Sequence, residues 1–223
     1  MELTTQHLIA LLPLLVTCAT IVVVMLAIAW RRHHGQTFVL SVAGLNLALL
    51  SIIPALKVTP LAVTGLLQID NYACFYIGLI LAATLACVTL AHAYLGGEDG
   101  KSPGFPGNRE EFYLLILLAA AGAIVLVSAQ HLAGLFIGLE LLSVPVYGLV
   151  AYAFFNKRSL EAGIKYMVLS AAGSAFLLFG MALLYADAGT LSFAGLGSKL
   201  AATGPLTQLV HLGVGMMTVG LAF

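Results

Sequence analysis

The chain has 223 residues, of which 61% are hydrophobic and 8% are charged, and nine basic residues balance nine acidic ones. A soluble domain carries about a quarter charged residues, so this composition excludes a water-soluble globule and predicts an all-α, polytopic integral membrane helix bundle. The balanced charge also argues against a basic face for nucleic acid.

Seven apolar stretches are long enough to cross a bilayer core, which needs about 20 apolar residues per helix. They predict a single transmembrane domain over residues 1–223, with helices at roughly 8–29, 36–56, 72–95, 112–129, 131–154, 160–186 and 205–223. The first stretch is too long for a signal peptide, and no Lys or Arg precedes it. The seventh reaches Phe223 without a polar flank, so we expect this sequence to be the N-terminal part of a longer protein.

The basic residues orient the predicted helices. Three connections on one side of the bundle hold six of the nine basic residues: Arg31, Arg32, Lys101, Arg109, Lys157 and Arg158. The opposite connections hold only Lys57 and Lys199, and Lys165 lies within a helix. The positive-inside rule therefore predicts that the six face the cytoplasm and that the N-terminus lies outside.

Local signals mark several helix ends. Asn108, followed by Glu110 and Glu111, is predicted to cap the fourth helix and to place negative charge in its first turn. Ser159 precedes the sixth helix, and Pro205 suits the first turn of the seventh.

Glu140 is a charged residue deep inside a predicted helix. It lies about nine residues into the fifth helix, within about 5 Å of the helix midpoint. A charge near the bilayer centre costs at least ~2.5–3.5 kcal/mol on insertion scales, so such a residue faces protein or water. Pro145 crowds the carbonyl of Leu141, next to this carboxyl group. Glu140 is therefore the leading functional candidate.

Lys165 has two interpretations. It lies about five residues into the sixth predicted helix, where it is a candidate for a functional buried charge. Glu161 precedes it by four residues, the favoured order for a helical ion pair, and the side chain could also reach the nearer surface. Both interpretations remain open at this point.

The other notable residues have weaker signals. Residues 170–175, Ser-Ala-Ala-Gly-Ser-Ala, and Gly180 predict a surface for close helix packing. His211 is the deepest of the scattered histidines and a weak candidate for a proton relay, whereas His92 and His131 are predicted to be interfacial. Cys18, Cys74 and Cys87 form no Cys-x-x-Cys pair, so no metal centre is predicted.

Two motifs carry a family resemblance. They are Gly-Leu-Glu-Leu-Leu-Ser-Val-Pro-Val-Tyr-Gly at 138–148 and Lys-Arg-Ser-Leu-Glu-Ala-Gly-Ile-Lys-Tyr-Met-Val-Leu at 157–169. With the continuation to Tyr185, they resemble the subunit N family of bacterial proton-pumping NADH:quinone oxidoreductase, respiratory complex I. The run Glu-Leu-Leu-Ser-x-Pro points to that family within the wider antiporter-like group.

The resemblance implies a fold of two inverted five-helix repeats with interrupted helices at its centre. It implies that a fifth-helix Glu pairs with a lysine of a broken seventh helix, and that a sixth-helix Lys joins the proton path. Glu140 and Lys165 match two of these positions. The third would directly follow Leu-Ala-Phe at 221–223, so we predict Lys at position 224 of the full chain.

The resemblance also implies a setting. This chain is expected to bind no cofactor itself, while NADH, FMN, iron–sulfur clusters and quinone are expected in partner subunits. Neighbouring antiporter-like subunits are the expected partners, in the inner membrane of a bacterium. Two alternatives remain: a subunit of a multisubunit cation/proton antiporter, and a structural membrane subunit whose buried charges only fix helix packing.

Overall fold

A computed structural model of the chain describes residues 4–96, 105–202 and 207–223. These residues form ten helices and one short hairpin: α1 Thr5–Ala10, α2 Leu12–Trp30, α3 His34–Leu50, α4 Ile52–Leu56, β1 Leu61–Ala62, β2 Gln68–Ile69, α5 Asn71–Gly96, α6 Glu110–Val127, α7 Leu132–Val150, α8 Lys157–Ala188, α9 Phe193–Ala202 and α10 Gln208–Ala222. The predicted all-α membrane bundle is confirmed.

Six helical segments are long and apolar enough to span a membrane: α2, α3 with α4, α5, α6, α7 and α8. They correspond to the first six predicted spans. The seventh predicted span corresponds to α10, an apolar helix of 15 residues. Pro205 and Lys101 lie outside the described residues, so their predicted roles remain predictions.

Prolines explain two helix breaks that the apolar pattern did not predict. The first stretch divides into α1 and α2, and Pro13 lies in the first turn of α2, where its missing N–H costs nothing. The second stretch divides at Ser51, between α3 and α4. Pro54 cannot donate a hydrogen bond to the carbonyl four residues back, that of Leu50, and α3 ends at that residue.

The predicted Asn108 cap and the predicted position of Ser159 are wrong, whereas Glu110 and Glu111 do lie in the first turn of α6. At the start of α6, the cap position is Arg109, without a side-chain cap, and the Asn108 amide instead donates to Glu111 Oε1 at 3.4 Å. At the start of α8, the Asn156 side chain accepts from the Arg158 N–H at 3.0 Å. Ser159 lies inside this helix and donates to the Val150 carbonyl at 2.7 Å. The helix α8 therefore begins three residues before the start predicted for the sixth span.

The helices alternate in direction, which gives the bundle two ends. We call the end where α2 and α5 finish and α6 and α8 begin the basic end, because the described basic residues Arg31, Arg32, Arg109, Lys157 and Arg158 lie there. Lys57 and Lys199 lie at the opposite end.

At the opposite end, backbone hydrogen bonds between extended segments join three connections: α4 to α5, α6 to α7, and α8 to α9. We call this unit the strand staple; it comprises residues 61–69, 128–131 and 191–193. The N–H of Gln68 donates to Ser128 O at 2.8 Å, the N–H of Gln130 to Leu66 O at 2.9 Å, and the N–H of Phe193 to Gln130 O at 3.1 Å. These bonds hold the ends of α5, α6, α7 and α8 together.

The Gln130 side chain adds one bond to the staple, since its amide donates to Thr64 O at 3.0 Å. We expect Gln130→Ala to lower the stability of the assembled protein by about 1 kcal/mol, the typical worth of such a bond. The midpoint of heat inactivation should fall by about 2–4 °C. Gln208→Ala, at an exposed position of α10, is the control and should leave the midpoint unchanged.

Glycines set the closest helix contacts. A Cβ at Gly122 of α6 would lie 2.3 Å from the Leu142 nitrogen of α7. Between α8 and α10, a Cβ at Gly180 would lie 2.6 Å from Gly213 O, and one at Gly220 would lie 2.6 Å from Gly173 O. Gly173 and Gly180 thus confirm the packing surface predicted on the sixth span.

Candidate functional site

Glu140 lies at the middle of α7, about 12 Å from the start of a helix about 28 Å long. Its side chain is half-buried and turned toward α8, where the Ser174 hydroxyl donates a hydrogen bond to Glu140 Oε1. The carboxyl group therefore has a polar partner on a neighbouring helix at this depth.

A cavity of about 130 Å³ opens beside this pair. It lies where α7, α8 and the end of α10 meet, and its lining includes Glu140, Ser143, Tyr166, Ser170, Ser174 and Phe223. A water molecule needs about 10–15 Å³ of such space and two or more polar partners, so this cavity has room for several waters. The carboxyl group can exchange protons with water held there.

A second hydrogen bond extends the polar surface toward the basic end. The Tyr147 hydroxyl of α7 donates to Ser170 Oγ of α8 at 2.6 Å, and the Tyr147 ring packs edge-on against Tyr166 with centroids 5.3 Å apart. Tyr166, Ser170 and Ser174 recur every four residues and therefore share one face of α8. Polar groups thus run along the α7–α8 contact from Glu140 to Tyr166.

Lys165 is placed differently. Its side chain is 74% exposed and forms an ion pair with Glu161, which is 62% exposed. Lys165 is nine residues, or ~14 Å, from Ser174 along α8, so it lies far from Glu140. Of the two interpretations of Lys165, the structure contains the ion pair with Glu161 that the four-residue spacing favours.

The histidines lie away from Glu140. The exposed His211 is in the first turn of α10, and its ring Nδ1 bonds the Thr207 carbonyl at 2.9 Å. It is ~14 Å along the helix from Gly220, which lines the cavity. His131 caps α7 by accepting from the Ala133 N–H at 3.1 Å. His92 belongs to a separate cluster at the basic end.

Sequence reasoning found Glu140 but missed its partners. Ser174 and Ser170 were assigned to helix packing, because a run of small residues is typical of close helix contacts. The four-residue spacing of Tyr166, Ser170 and Ser174 was the available signal. Within the described residues, no group of three or more His, Cys, Asp or Glu side chains could hold a metal ion.

Comparisons with known proteins agree with the fold. Residues 129–223 match the family described as NADH:quinone oxidoreductase/Mrp antiporter, transmembrane. The structure resembles a chain of respiratory complex I from Thermus thermophilus with bound aureothin, with a TM-score of 0.74 and 29% identity over 94% of this chain and 43% of that one. The structure also resembles a chain of the membrane-bound sulfane sulfur reductase, an archaeal respiratory membrane complex. That match has a TM-score of 0.68 at 23% identity and covers 97% of this chain and 44% of that one. It shows that the two chains share a fold.

The fold and the family match define the class: the chain is an antiporter-like, multi-pass membrane domain. Within that class it is 72% identical over 222 residues to NADH-quinone oxidoreductase subunit N of Ectopseudomonas mendocina strain ymp, which confirms the resemblance that the two motifs indicated. The match covers 100% of this chain and 44% of that relative. The chain thus spans less than half the length of the relative.

Proposed function

We propose that this chain is part of a proton-translocating membrane subunit of NADH:quinone oxidoreductase, in which Glu140 is the protonation switch. The observation that carries the proposal is the Glu140–Ser174 hydrogen bond beside a 130 Å³ cavity at the middle of the bundle. A carboxyl group at this depth is costly and is retained where its ionisation is used. The 72% identity to a subunit N supports the coupling to NADH oxidation.

In this mechanism the charge state of Glu140 follows its surroundings. In general, burial favours the neutral form of a carboxyl group, whereas a hydrogen-bond donor or a nearby positive charge favours the carboxylate. The Ser174 hydroxyl is such a donor. A positive charge that approaches releases the proton, and one that withdraws allows the group to bind another. Redox chemistry with NADH, FMN, iron–sulfur clusters and quinone is assigned to partner subunits, which supply the movement.

The energies involved are of similar size. Two charges about 4 Å apart at an effective dielectric constant near 20 interact by about 4 kcal/mol. Moving one proton against roughly 150–200 mV requires about 3.5–4.6 kcal/mol. Making and breaking one ion pair is therefore sufficient for one proton step.

The positive partner proposed for Glu140 is the lysine predicted at position 224. Gly220, Leu221 and Phe223 at the end of α10 line the same cavity as Glu140, so a residue directly after Phe223 would lie beside it. Determining the parent sequence tests this step. An apolar residue at position 224 would contradict the proposed charge pair.

Lys165 is proposed as a relay between the water at the basic end and the α7–α8 polar face, and His211 as a weaker relay at the opposite end. The basic end is proposed to face the cytoplasm in the inner membrane of a bacterium, which places the N-terminus outside. Neighbouring antiporter-like subunits are the proposed partners.

Replacing Lys165 distinguishes a role in proton relay from a role in a structural ion pair. The Lys165–Glu161 pair is largely exposed, and such pairs contribute about 0.5 kcal/mol or less. We expect Lys165→Met to lower NADH-driven proton uptake about tenfold or more per assembled complex, in line with loss of a positioned proton-transfer group. Glu161→Gln breaks the same pair and is the control. Equal, small effects of both variants would reduce Lys165 to a structural role.

A multisubunit cation/proton antiporter is the second candidate function, because the matched family includes Mrp antiporters. It predicts sodium-dependent proton flux in vesicles without NADH, whereas the proposed function predicts proton uptake only with NADH and quinone. A purely structural subunit predicts that Glu140→Gln and Lys165→Met lower assembly but not activity per assembled complex.

A further inference from the structure

A second cluster of titratable side chains lies at the basic end, between α3, α5 and α6. We call it the histidine–tyrosine cluster: His34, His92 and Tyr113. The two imidazole rings stack with centroids 4.6 Å apart and planes 10° apart. The Tyr113 hydroxyl lies 3.3 Å from His92 Nδ1 and 3.5 Å from His34 Nε2, so it bridges the two rings.

The cluster is enclosed but close to water. Tyr113 is fully buried, with 0% of its surface exposed, while both histidines are half-buried. Phe38 covers the His92 ring at a centroid distance of 4.0 Å. The imidazoles therefore have access to the aqueous boundary, and the hydroxyl that connects them does not.

Charged groups surround the cluster on the same side. Glu110 is 91% buried, and both it and Arg109 are close enough to interact electrostatically with His34 and Tyr113. Arg32 and Glu111, each two residues before a member of the cluster in the chain, form an ion pair of 2.9 Å. This arrangement places an acid, Glu110, and a cation, Arg109, beside the same histidine.

Tyr152 also lies at this end, between α7 and α8. Burial, followed by the charge of Glu111, raises the pKa of Tyr152 to about 12. Its hydroxyl donates to Asn108 O at 2.8 Å and stays protonated over the working range of pH. Tyr152 is therefore not a group that exchanges protons near neutral pH.

The cluster is distinct from the Glu140 site. Gly122 of α6 packs against Leu142 of α7, and Gly138 of α7 packs against Leu126 of α6. Because the two helices run in opposite directions, Glu140 is level with residue 124 of α6. Tyr113 is eleven residues from that level, or ~16 Å toward the basic end.

The chemistry of the cluster suits one exchangeable proton. Two imidazolium charges at this separation repel each other, so the pair holds one added proton more readily than two. In the neutral state the Tyr113 hydroxyl can accept from one ring and donate to the other. When the second ring gains a proton on its bridging nitrogen, the Tyr113 oxygen can accept from both rings, and its own O–H must turn to another acceptor. Binding therefore needs a proton, a hydroxyl rotation and a new acceptor for the buried O–H.

We propose that the histidine–tyrosine cluster is a proton-binding site that takes up protons from the aqueous phase at the basic end. The proposal rests on the proposed function of the chain in proton translocation. A purely structural aromatic stack would need the rings but not the bridging hydroxyl.

The test is the pH profile of NADH-driven proton uptake between about pH 5 and 8, the range in which a histidine changes charge. It uses vesicles containing the intact complex, with Tyr113→Phe, His34→Gln and His92→Gln compared with the wild type. Proton uptake by the wild type should fall as pH rises, because the cluster then loses its proton. Tyr113→Phe removes an acceptor from the protonated pair, so this alkaline limb should move to lower pH by about one unit, a tenfold change in occupancy. Each histidine variant should flatten the limb.

His33→Gln is the matched control. This exposed neighbour only caps α3 by accepting from the Gln36 N–H at 3.3 Å, and glutamine keeps an acceptor there. The assembled amount of each variant is measured by NADH oxidation with an artificial acceptor. If the three cluster variants assemble and their profiles keep the wild-type shape, the cluster is structural and the proposal is overturned. Should Tyr113→Phe fail to assemble, the two histidine variants decide.

Failure of the broader proposed function gives a different result. Glu140→Gln in the same vesicles should abolish proton uptake at every pH, whatever the cluster variants do. Normal uptake in Glu140→Gln would overturn the role of Glu140, whereas unchanged cluster profiles with a defective Glu140→Gln would overturn the cluster alone.

Discussion

Glu140→Gln in the intact complex is expected to lower NADH-driven proton uptake by about 100-fold, the lower part of the range for a positioned proton-transfer group. The amide keeps the size of the side chain and can still accept the hydrogen bond from Ser174. It cannot bind and release a proton in the working range of pH. The measurement is proton uptake by inverted vesicles, normalised to assembled complex.

Two further variants make this result specific. Ser174→Ala removes the donor to the Glu140 carboxylate, and a hydrogen bond to a charged group is worth about 1.5–3 kcal/mol, so uptake should fall by one to two powers of ten. Asp187→Asn removes a carboxylate at the far end of α8, where the side chain accepts from the Thr207 hydroxyl at 2.7 Å. Asparagine keeps that acceptor, and uptake should be normal. Wild-type pumping by assembled Glu140→Gln would exclude an essential switch.

Gly180→Val is expected to have the largest effect on stability. A Cβ at this position would lie 2.6 Å from Gly213 O and 2.8 Å from the Met217 nitrogen, both backbone atoms of α10. The two helices must separate, at a cost of about 3 kcal/mol, the upper part of the range for overpacking. The amount of assembled complex in membranes should fall more than about tenfold, and any complex that forms should pump poorly, because the end of α10 leaves the Glu140 cavity.

Gly215→Val, on the facing helix α10, is the matched control. A Cβ there meets nothing within 4 Å among the described residues, and valine is a better helix former than glycine. Assembly should therefore be unchanged. Equal losses in Gly180→Val and Gly215→Val would show that valine is tolerated nowhere on α10 or α8, and would remove the argument from close packing.

The six longest spans could be predicted because each is a long apolar run, a strong signal in a lipid environment. The strand staple could not be predicted in this way. Its bonds join backbone groups of Gln68, Ser128 and Gln130, which are far apart in the sequence and carry no periodic pattern. The break at Ser51 was predictable in principle from Pro54, because a helical bond to Leu50 is impossible.

The site was predicted in part. Glu140 stood out because its charge is costly at this depth, and that argument needs no knowledge of its neighbours. Ser174 did not stand out, because a serine among small residues serves helix packing and hydrogen bonding equally well. For Lys165, the spacing to Glu161 allowed an exposed ion pair, and the structure contains that pair. Its place in a proton path is still a prediction.

The length of α8 has a consequence for Lys165. Its 32 residues extend for ~48 Å, whereas the hydrocarbon layer is about 30 Å thick, so the helix tilts or its ends project among the lipid headgroups. Where its ends project equally, Lys165, ~12 Å from the first residue, lies close to the depth at which the acyl chains begin. An ammonium group at that boundary stays hydrated and can exchange protons with the bulk phase, while the hydroxyl face of the same helix starts one residue later, at Tyr166.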